Sequence, residues 1–296
     1  MLNLSAMTKK RLPDWFKTSK GKLKATKSLS TVLEAEVPNS ICQEARCPNR
    51  SDCFAKGILT FMILGVTCTR NCAFCSVQHG VPMPPDRSEL NTILNAIEKL
   101  NLRFVVLTSP NRDDLPDGGA EHYAHIVSGI KAKFPNVKVE VLIPDFLGER
   151  DPLAVVLAAK PDVLNHNVET VPSLYATVRK GSVYKRSLSV LKMAKEIDPT
   201  VLTKSGLMVG LGETNEELYE TFKDIRAHKT DILTVGQYLK PDKNSAEVKR
   251  YVTPEKFKQF EVDALKMGYK FVFSGPLIRS SYLAEHVFDD TVKNHA

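Results

Sequence analysis

The sequence predicts an α/β fold, a partial (β/α)6 TIM-like barrel with an N-terminal and a C-terminal extension. Segments typical of buried strands alternate with segments of helical periodicity, at a spacing of roughly 30 residues. Such alternation favours parallel strands that are joined by crossover helices. Polar residues also gather where several of these strands end, which is the edge at which barrel enzymes build their sites.

Six apolar, β-branched segments are the predicted strands. In chain order they are residues 60–66, 103–109, 137–144, 162–169, 203–210 and 231–239. Polar segments mark the ends of four of them, at residues 108–114, 165–170, 210–214 and 236–241. Six units with polar ends favour a partial barrel over a doubly wound open sheet, which is the main alternative.

Six further segments have the periodicity of helices that bury one face. They are residues 88–101, 118–134, 151–160, 183–197, 214–228 and 253–268. Two of them carry start signals. Thr214 with Glu217 has the spacing of a capping box, and Thr253 precedes Pro254, which suits the first helical position.

The length of 296 residues accommodates one barrel of about 250 residues with extensions. We predict an N-terminal extension over residues 1–55, a barrel core over 56–270 and a C-terminal extension over 271–296. The chain has no apolar run near the roughly 18 residues of a membrane span and no apolar signal run, so we expect a cytoplasmic protein.

The formal net charge is +7, and much of the excess lies near the N-terminus. Eight basic residues in the first thirty positions face only one acidic residue, Asp14. A solvated tail, an arm that contacts phosphates or carboxylates, and an organelle-targeting segment all stay open for this region.

All six cysteines lie between Cys42 and Cys75, in two groups of three. Their spacings are C-x4-C-x5-C for Cys42, Cys47 and Cys53, and C-x3-C-x2-C for Cys68, Cys72 and Cys75. In a reducing compartment such thiols favour metal binding over disulfides. Three thiolates on a 4Fe-4S cluster leave one iron open to a substrate or cofactor, and a four-cysteine zinc site assembled from both groups is the alternative.

The second cysteine group, with Phe74 before its last cysteine and after a predicted first strand, resembles the signature of the radical S-adenosylmethionine (SAM) superfamily. The resemblance implies a barrel of the radical SAM type. It also implies that Cys68, Cys72 and Cys75 hold a cluster whose open iron binds SAM, which is cleaved to a 5'-deoxyadenosyl radical.

Seven segments together resemble the lipoyl synthase family, in order from about Leu12 to His286. They are CQEARCPNRSDCF (42–54), TFMILGVTCTRNCAFCSV (60–77), RDDLPDGGA (112–120), NHNVETVP (165–172), TKSGLMVGLGET (203–214), VGQYLKP (235–241) and SGPLIRSSY (274–282). The resemblance implies radical insertion of two sulfur atoms at C6 and C8 of an octanoyl chain linked to a lysine of a carrier domain.

The same resemblance implies a second, auxiliary 4Fe-4S cluster, which is consumed as the sulfur source. Cys42, Cys47 and Cys53 would hold it, and Ser281 matches the family's fourth ligand. An oxygen donor is harder than a thiolate, which suits an iron that leaves when sulfide is consumed. Arg279 is predicted to guard this cluster or pair with substrate, or else to form an ordinary salt bridge.

Polar residues near the predicted strand ends are candidate SAM contacts, through the ribose, amine or carboxylate of SAM. They are Thr108, Ser109, Asn167, Glu169 and Lys204, and structural capping is the alternative role for each. Gly206 permits close approach of backbone to the adenine. His79 and His166 are not predicted ligands, because buried histidines are more often satisfied structurally.

Three segments depart from the family pattern. Ile58 and Leu59 stand where Thr-Ala is expected, Pro110 and Asn111 stand where Val-Asp is expected, and residues 240–254 lack a pair of histidines. These departures concern the details of SAM and substrate contacts.

The implied partners are octanoylated lipoyl carrier domains of 2-oxoacid dehydrogenases or of the glycine cleavage protein, and an electron donor such as flavodoxin or ferredoxin. No membrane or nucleic-acid partner is expected. A basic surface suits acidic carrier domains. A radical SAM methylthiotransferase acting on RNA and a non-enzymatic iron–sulfur electron carrier are the alternatives.

Overall fold

The computed structural model describes residues 12–16 and 58–281. Cys42, Cys47 and Cys53 lie outside these residues, as do most of the predicted N-terminal extension and the end of the C-terminal one. Within the described chain, no helix is long and apolar enough to span a membrane.

The described barrel is a sheet of seven parallel strands in which each strand pairs with the next sheet strand along the chain. The sheet strands are β1 (Ile58–Met62), β4 (Phe104–Thr108), β5 (Lys138–Leu142), β6 (Val163–Asn165), β7 (Leu202–Val209), β8 (Ile232–Gln237) and β9 (Phe271–Gly275). The order never reverses, unlike that of a doubly wound sheet, and β1 and β9 stay unpaired with each other as edges. The predicted partial barrel is confirmed.

Two short strands lie outside this sheet. β2 (Thr67–Cys68) and β3 (Gln78–His79) pair in parallel on either side of the loop that carries Cys72 and Cys75. They close the base of that loop.

The six predicted helices are confirmed, with a short seventh one. They are α1 (Glu89–Leu100), α2 (Ala120–Lys133), α3 (Arg150–Ala158), α4 (Tyr175–Val178), α5 (Tyr184–Ile197), α6 (Asn215–Ala227) and α7 (Pro254–Lys266). The start signals hold as well: Thr214 and Glu217 form a reciprocal capping box, and Thr253 accepts from the Lys256 amide at 3.3 Å.

The seventh strand of the sheet, β9, was not predicted. Of its five residues only Val272 is buried, so the segment lacks the continuous apolar run that marks the central strands. It nevertheless pairs with β8 from Ile232 to Gly236. β9 therefore places the residues that follow it at the edge of the barrel.

Strand alternation separates the core from the site. In β4, Val105 and Leu107 pack in the hydrophobic core, whereas Val106 and Thr108 line an interior cavity. In β8, Leu233 and Val235 face the core, and Thr234 and Gly236 face the cavity. The period of two thus gives each strand one face for stability and one for chemistry.

Candidate active site

A cavity of about 690 Å³ opens at the carboxyl ends of the sheet strands and extends into the half-barrel. Small-molecule sites have this size and position. Ten predicted site residues line it: Cys68, Cys72, Phe74, Cys75, Thr108, Ser109, Asn167, Glu169, Arg279 and Ser281. Lys204 does not line it, and Cys42, Cys47 and Cys53 lie outside the described residues.

The cysteine loop leads from buried Cys68 into the cavity. The Cys68 sulfur accepts backbone N–H bonds from Arg70 at 3.4 Å and from Asn111 at 3.3 Å. The Cys75 sulfur accepts one from Val77 at 3.4 Å. Bonds of this kind fix thiolate ligands and stabilise their charge.

Backbone bonds tie the middle of the loop to two neighbouring segments. The Ala73 amide donates to the Val178 carbonyl at 2.9 Å, and the Ala73 carbonyl accepts from Ala246 at 2.6 Å. The adjacent Phe74 ring packs in a small apolar cluster with Leu211 and Tyr238. These contacts position the loop against the barrel.

Arg70 clamps the start of the loop to the barrel. Its guanidinium bonds Asp113 at 2.7 and 2.8 Å and Asp145 at 2.7 and 3.0 Å. Burial alone raises the pKa of Asp145, but the bonds and charge of Arg70 outweigh it and lower that pKa to about 2. Sequence reasoning missed Arg70, since a single arginine between two cysteines carries no signal of its partners.

The Cys72 thiol is neutral at physiological pH in the protein alone, since burial raises its pKa to about 12. Metal binding to such a thiol must displace its proton. The Cys72 position is also close enough to Arg179 for that charge to lower the pKa in part.

Arg179 is a second residue that sequence reasoning missed. It lines the cavity, and its Nη1 donates to the Tyr175 hydroxyl and to Ser187 Oγ, each at 2.8 Å. Burial alone lowers the pKa of Arg179, but Tyr175 and Glu169 outweigh it, so the guanidinium stays charged. It therefore presents a fixed positive charge near Cys72. Sequence reasoning missed it because the segment around Arg179 matches no motif.

Asn167 and Glu169 are two further polar residues that line the cavity. Asn167 Nδ2 donates to Glu169 Oε1 at 3.0 Å, and Glu169 has a left-handed φ of 70°. Such backbone strain is typical of functional sites. Burial raises the pKa of Glu169, and Asn167 Oδ1 is buried with no hydrogen-bond partner among the described residues.

Two glycines keep the cavity open. A Cβ at Gly206 would lie 2.7 Å from Thr234 Oγ1 and 2.8 Å from Asn167 Oδ1. A Cβ at Gly236 would lie 2.1 Å from the Ile278 carbonyl. Gly206 thus leaves room beside the unpartnered amide, and Gly236 admits the turn that carries Arg279 and Ser281 to the cavity.

Two other predicted site residues, Ser109 and Lys204, lie in different places relative to the cavity. Ser109 Oγ accepts from the Tyr123 hydroxyl at 3.0 Å while lining the cavity beside Thr108. Lys204 instead lies deeper in the sheet, where its Nζ bonds both Glu140 oxygens at 2.9 and 3.1 Å and both side chains are 1% exposed. This position assigns Lys204 to a buried ion pair rather than to the cavity wall.

The two histidines also differ in environment. His79 is exposed in β3. His166 is fully buried, with Nδ1 2.9 Å from the Ile143 carbonyl, and burial lowers its pKa to about 4. His166 is therefore neutral at physiological pH and does not line the cavity.

These donors fit a three-thiol 4Fe-4S cluster with SAM. Three cysteines close in sequence line the cavity. Backbone N–H groups donate to two of their sulfurs, those of Cys68 and Cys75. The unpartnered Asn167 Oδ1, the Gly206 backbone on the cavity wall and the charge of Arg179 suit a ligand that carries both an amine and a carboxylate.

Solved structures share the fold. HydG, a maturase of the [FeFe]-hydrogenase, aligns with a TM-score of 0.59 and 14% identity over 73% of this chain and 51% of its own. SuiB of Streptococcus suis, in complex with S-adenosylmethionine, aligns with a TM-score of 0.57 and 12% identity over 76% of this chain and 53% of its own.

Sequence comparison is more specific. Residues 62–225 match the model of the radical SAM superfamily. A lipoyl synthase of Caldanaerobacter subterraneus subsp. tengcongensis is 51% identical over 93% of this chain and 96% of its own length. Another, of Alkaliphilus metalliredigens, is 47% identical over 96% and 98%. The chain therefore belongs to the lipoyl synthase family of radical SAM enzymes.

Proposed function

We propose that this cavity is where the chain, as a lipoyl synthase, inserts sulfur at C6 and C8 of a lysine-bound octanoyl chain. The observation that carries the proposal is that three cysteine thiols and Ser281, from opposite ends of the described barrel, line one cavity. Family membership favours sulfur insertion over an RNA methylthiotransferase or an electron carrier.

In this proposal Cys68, Cys72 and Cys75 hold the SAM cluster. When bound, the cluster and SAM supply the 5'-deoxyadenosyl radical that removes hydrogen from the octanoyl chain. Arg179 supplies positive charge for the SAM carboxylate, and Asn167 with Glu169 accepts from its amine. Thr108 and Ser109 are further polar contacts, and Gly206 gives the adenine access to backbone.

The first cysteine group has the other task. Cys42, Cys47, Cys53 and Ser281 hold an auxiliary 4Fe-4S cluster that supplies the two sulfur atoms. The family resemblance, the same count of three thiols and the position of Ser281 on the cavity support this assignment. Arg279 lies beside Ser281 and screens the cluster or pairs with substrate.

We further propose that the substrates are octanoylated lipoyl carrier domains of 2-oxoacid dehydrogenases or of the glycine cleavage protein. A flavodoxin or ferredoxin supplies electrons. The net charge of +7 supports docking of acidic partners. A reducing cytoplasm suits a chain whose described cysteines are all free thiols.

Separate cysteine substitutions test the division of tasks. Cys72→Ala is expected to abolish both SAM cleavage and sulfur insertion. Cys53→Ala is expected to retain SAM cleavage and to lose sulfur insertion. The assays are 5'-deoxyadenosine release and mass spectrometry of an octanoylated carrier peptide, and thiolated product from Cys53→Ala would refute the division.

The adjacent serines offer a matched pair for the fourth ligand. Ser281→Ala is expected to lower sulfur insertion at least tenfold with SAM cleavage retained, whereas Ser280→Ala is expected to change neither by more than about twofold. Equal losses in both variants would refute the assignment of Ser281.

A further inference from the structure

We infer that the Asn111 side chain raises the reduction potential of the cluster held by Cys68, Cys72 and Cys75. Asn111 lies in the loop after β4 and lines the cavity. The inference rests on the proposed function only in placing a cluster on these thiols. It adds a tuning residue outside the cysteine loop.

Asn111 contacts one sulfur twice. Its backbone amide lies 3.3 Å from Cys68 Sγ, and its side-chain Nδ2 lies 3.9 Å from the same atom. With the Arg70 amide at 3.4 Å, three N–H groups surround Cys68. The other donors to these sulfurs named above are backbone amides, whereas Asn111 also offers a side-chain donor.

Backbone contacts hold Asn111 in place independently of its side chain. The Asn111 carbonyl accepts from the Thr69 amide and from the Thr69 hydroxyl, each at 3.0 Å. Thr69 directly follows Cys68, so the two loops stay in register when residue 111 is replaced. A substitution can therefore remove the side-chain donor without removing the anchor.

The direction of the effect follows from charge. One-electron reduction of a cluster adds negative charge, part of which rests on the thiolate sulfurs. An N–H donor stabilises that charge and raises the potential, and hydrogen bonds to the sulfurs are one of the factors that set cluster potentials. A carboxylate in the same position has no donor and adds repulsion, so it lowers the potential.

Aspartate is the residue that the family resemblance leads us to expect at this position. Asparagine and aspartate have nearly the same shape but differ in donor and charge. We therefore expect the cluster of this chain to accept an electron at a higher potential than that of its Asn111→Asp variant.

The test is an EPR-monitored redox titration of the full, anaerobically reconstituted chain, following the reduced signal that changes when SAM is added. Asn111→Ala should lower the midpoint potential, and Asn111→Asp should lower it further. At a fixed potential we expect about a tenfold lower ratio of reduced to oxidised cluster for Asn111→Asp, which is about 59 mV for one electron.

Asn71→Asp is the matched control. Asn71 lies exposed in the cysteine loop and lines the same cavity, so an aspartate there adds the same charge without replacing a donor to sulfur. Its shift should be less than half that of Asn111→Asp. Equal shifts in the two aspartate variants, or an unchanged potential in Asn111→Ala and Asn111→Asp, would overturn the inference.

The wild-type signal and the iron content of the variants distinguish a failure of this inference from a failure of the proposed function. A wild-type chain with no SAM-sensitive signal would overturn the proposed function and this inference with it. Should Asn111→Asp lose iron, the uncharged Asn111→Ala variant decides the inference, with a lowered potential supporting it and an unchanged one refuting it.

Discussion

The guanidinium of Arg70 lies 2.7 Å from the carboxylate of Asp145, although the two residues are 75 positions apart. Their side chains are 4% and 0% exposed. The pair joins the start of the cysteine loop to the segment that follows β5, so it anchors the loop to the barrel.

Removing this clamp should destabilise the fold and the cluster site together. Arg70→Ala leaves the buried Asp145 carboxylate without its principal partner, which costs about 3 kcal/mol or more. We expect that loss in urea unfolding of the cluster-free protein, with less iron per chain after reconstitution. Arg150→Ala breaks an exposed pair with Glu196 and should cost less than about 1 kcal/mol. Equal costs would contradict the clamp.

The same pair predicts an acid-dependent loss of stability. Arg70 lowers the pKa of Asp145 from 3.8 to about 2, so the pair stabilises the fold fully above about pH 4. That contribution, about 2 kcal/mol, is lost as the pH falls from 4 towards 2. The unfolding free energy of wild type minus that of Asp145→Asn should shrink over this range. A constant difference would refute the assignment.

Gly236 tests the contact between β8 and the turn that carries Ser281. Gly236→Ala would place a Cβ 2.1 Å from the Ile278 carbonyl, so the turn must move. We expect sulfur insertion to fall at least tenfold while 5'-deoxyadenosine release persists. At Gly275 the nearest atom is the flexible Ile278 side chain at 3.2 Å, and Gly275→Ala should have a small effect. Parallel loss of both activities in Gly236→Ala would argue against this specific role.

The Lys204–Glu140 pair predicts a stability effect. Lys204→Met leaves a buried carboxylate unpaired and should cost about 3 to 5 kcal/mol, whereas Lys204→Met with Glu140→Leu should recover most of that cost. Because Lys204 lies off the cavity wall, the double variant should bind SAM within about threefold of wild type. A folded double variant with SAM affinity reduced tenfold or more would instead place Lys204 in contact with SAM, the role that the sequence suggested.

Much of the barrel could be predicted from local patterns. Central strands such as β4 and β8 are buried along their whole length and carry apolar, β-branched runs, and the starts of α6 and α7 carry their own capping residues. β9 could not be predicted because it is mostly unburied and is defined by its pairing with β8. An edge strand of this kind is specified by its neighbour more than by its own composition.

In the site, too, local sequence patterns predict some residues, whereas others depend on contacts between distant segments. The cysteine spacing predicts three cluster ligands from local sequence alone, because all three thiols lie within eight positions. The long-range contacts of Arg70, Arg179 and Asn111 are fixed only when the strands assemble, so nothing near them in sequence predicts them. Lys204 shows the converse, since a residue in a motif next to a strand end can serve the interior of the sheet.

The most direct test of sulfur insertion combines metal analysis with product analysis on the anaerobically reconstituted chain. Iron and sulfide per chain are quantified first. An octanoylated carrier peptide is then incubated with the protein, SAM and reductant, and the mass of the product is measured by mass spectrometry. We predict about eight irons per chain, as two 4Fe-4S clusters require, and a product that carries two added sulfur atoms. About four irons, with SAM cleaved and no sulfur gained, would contradict the account.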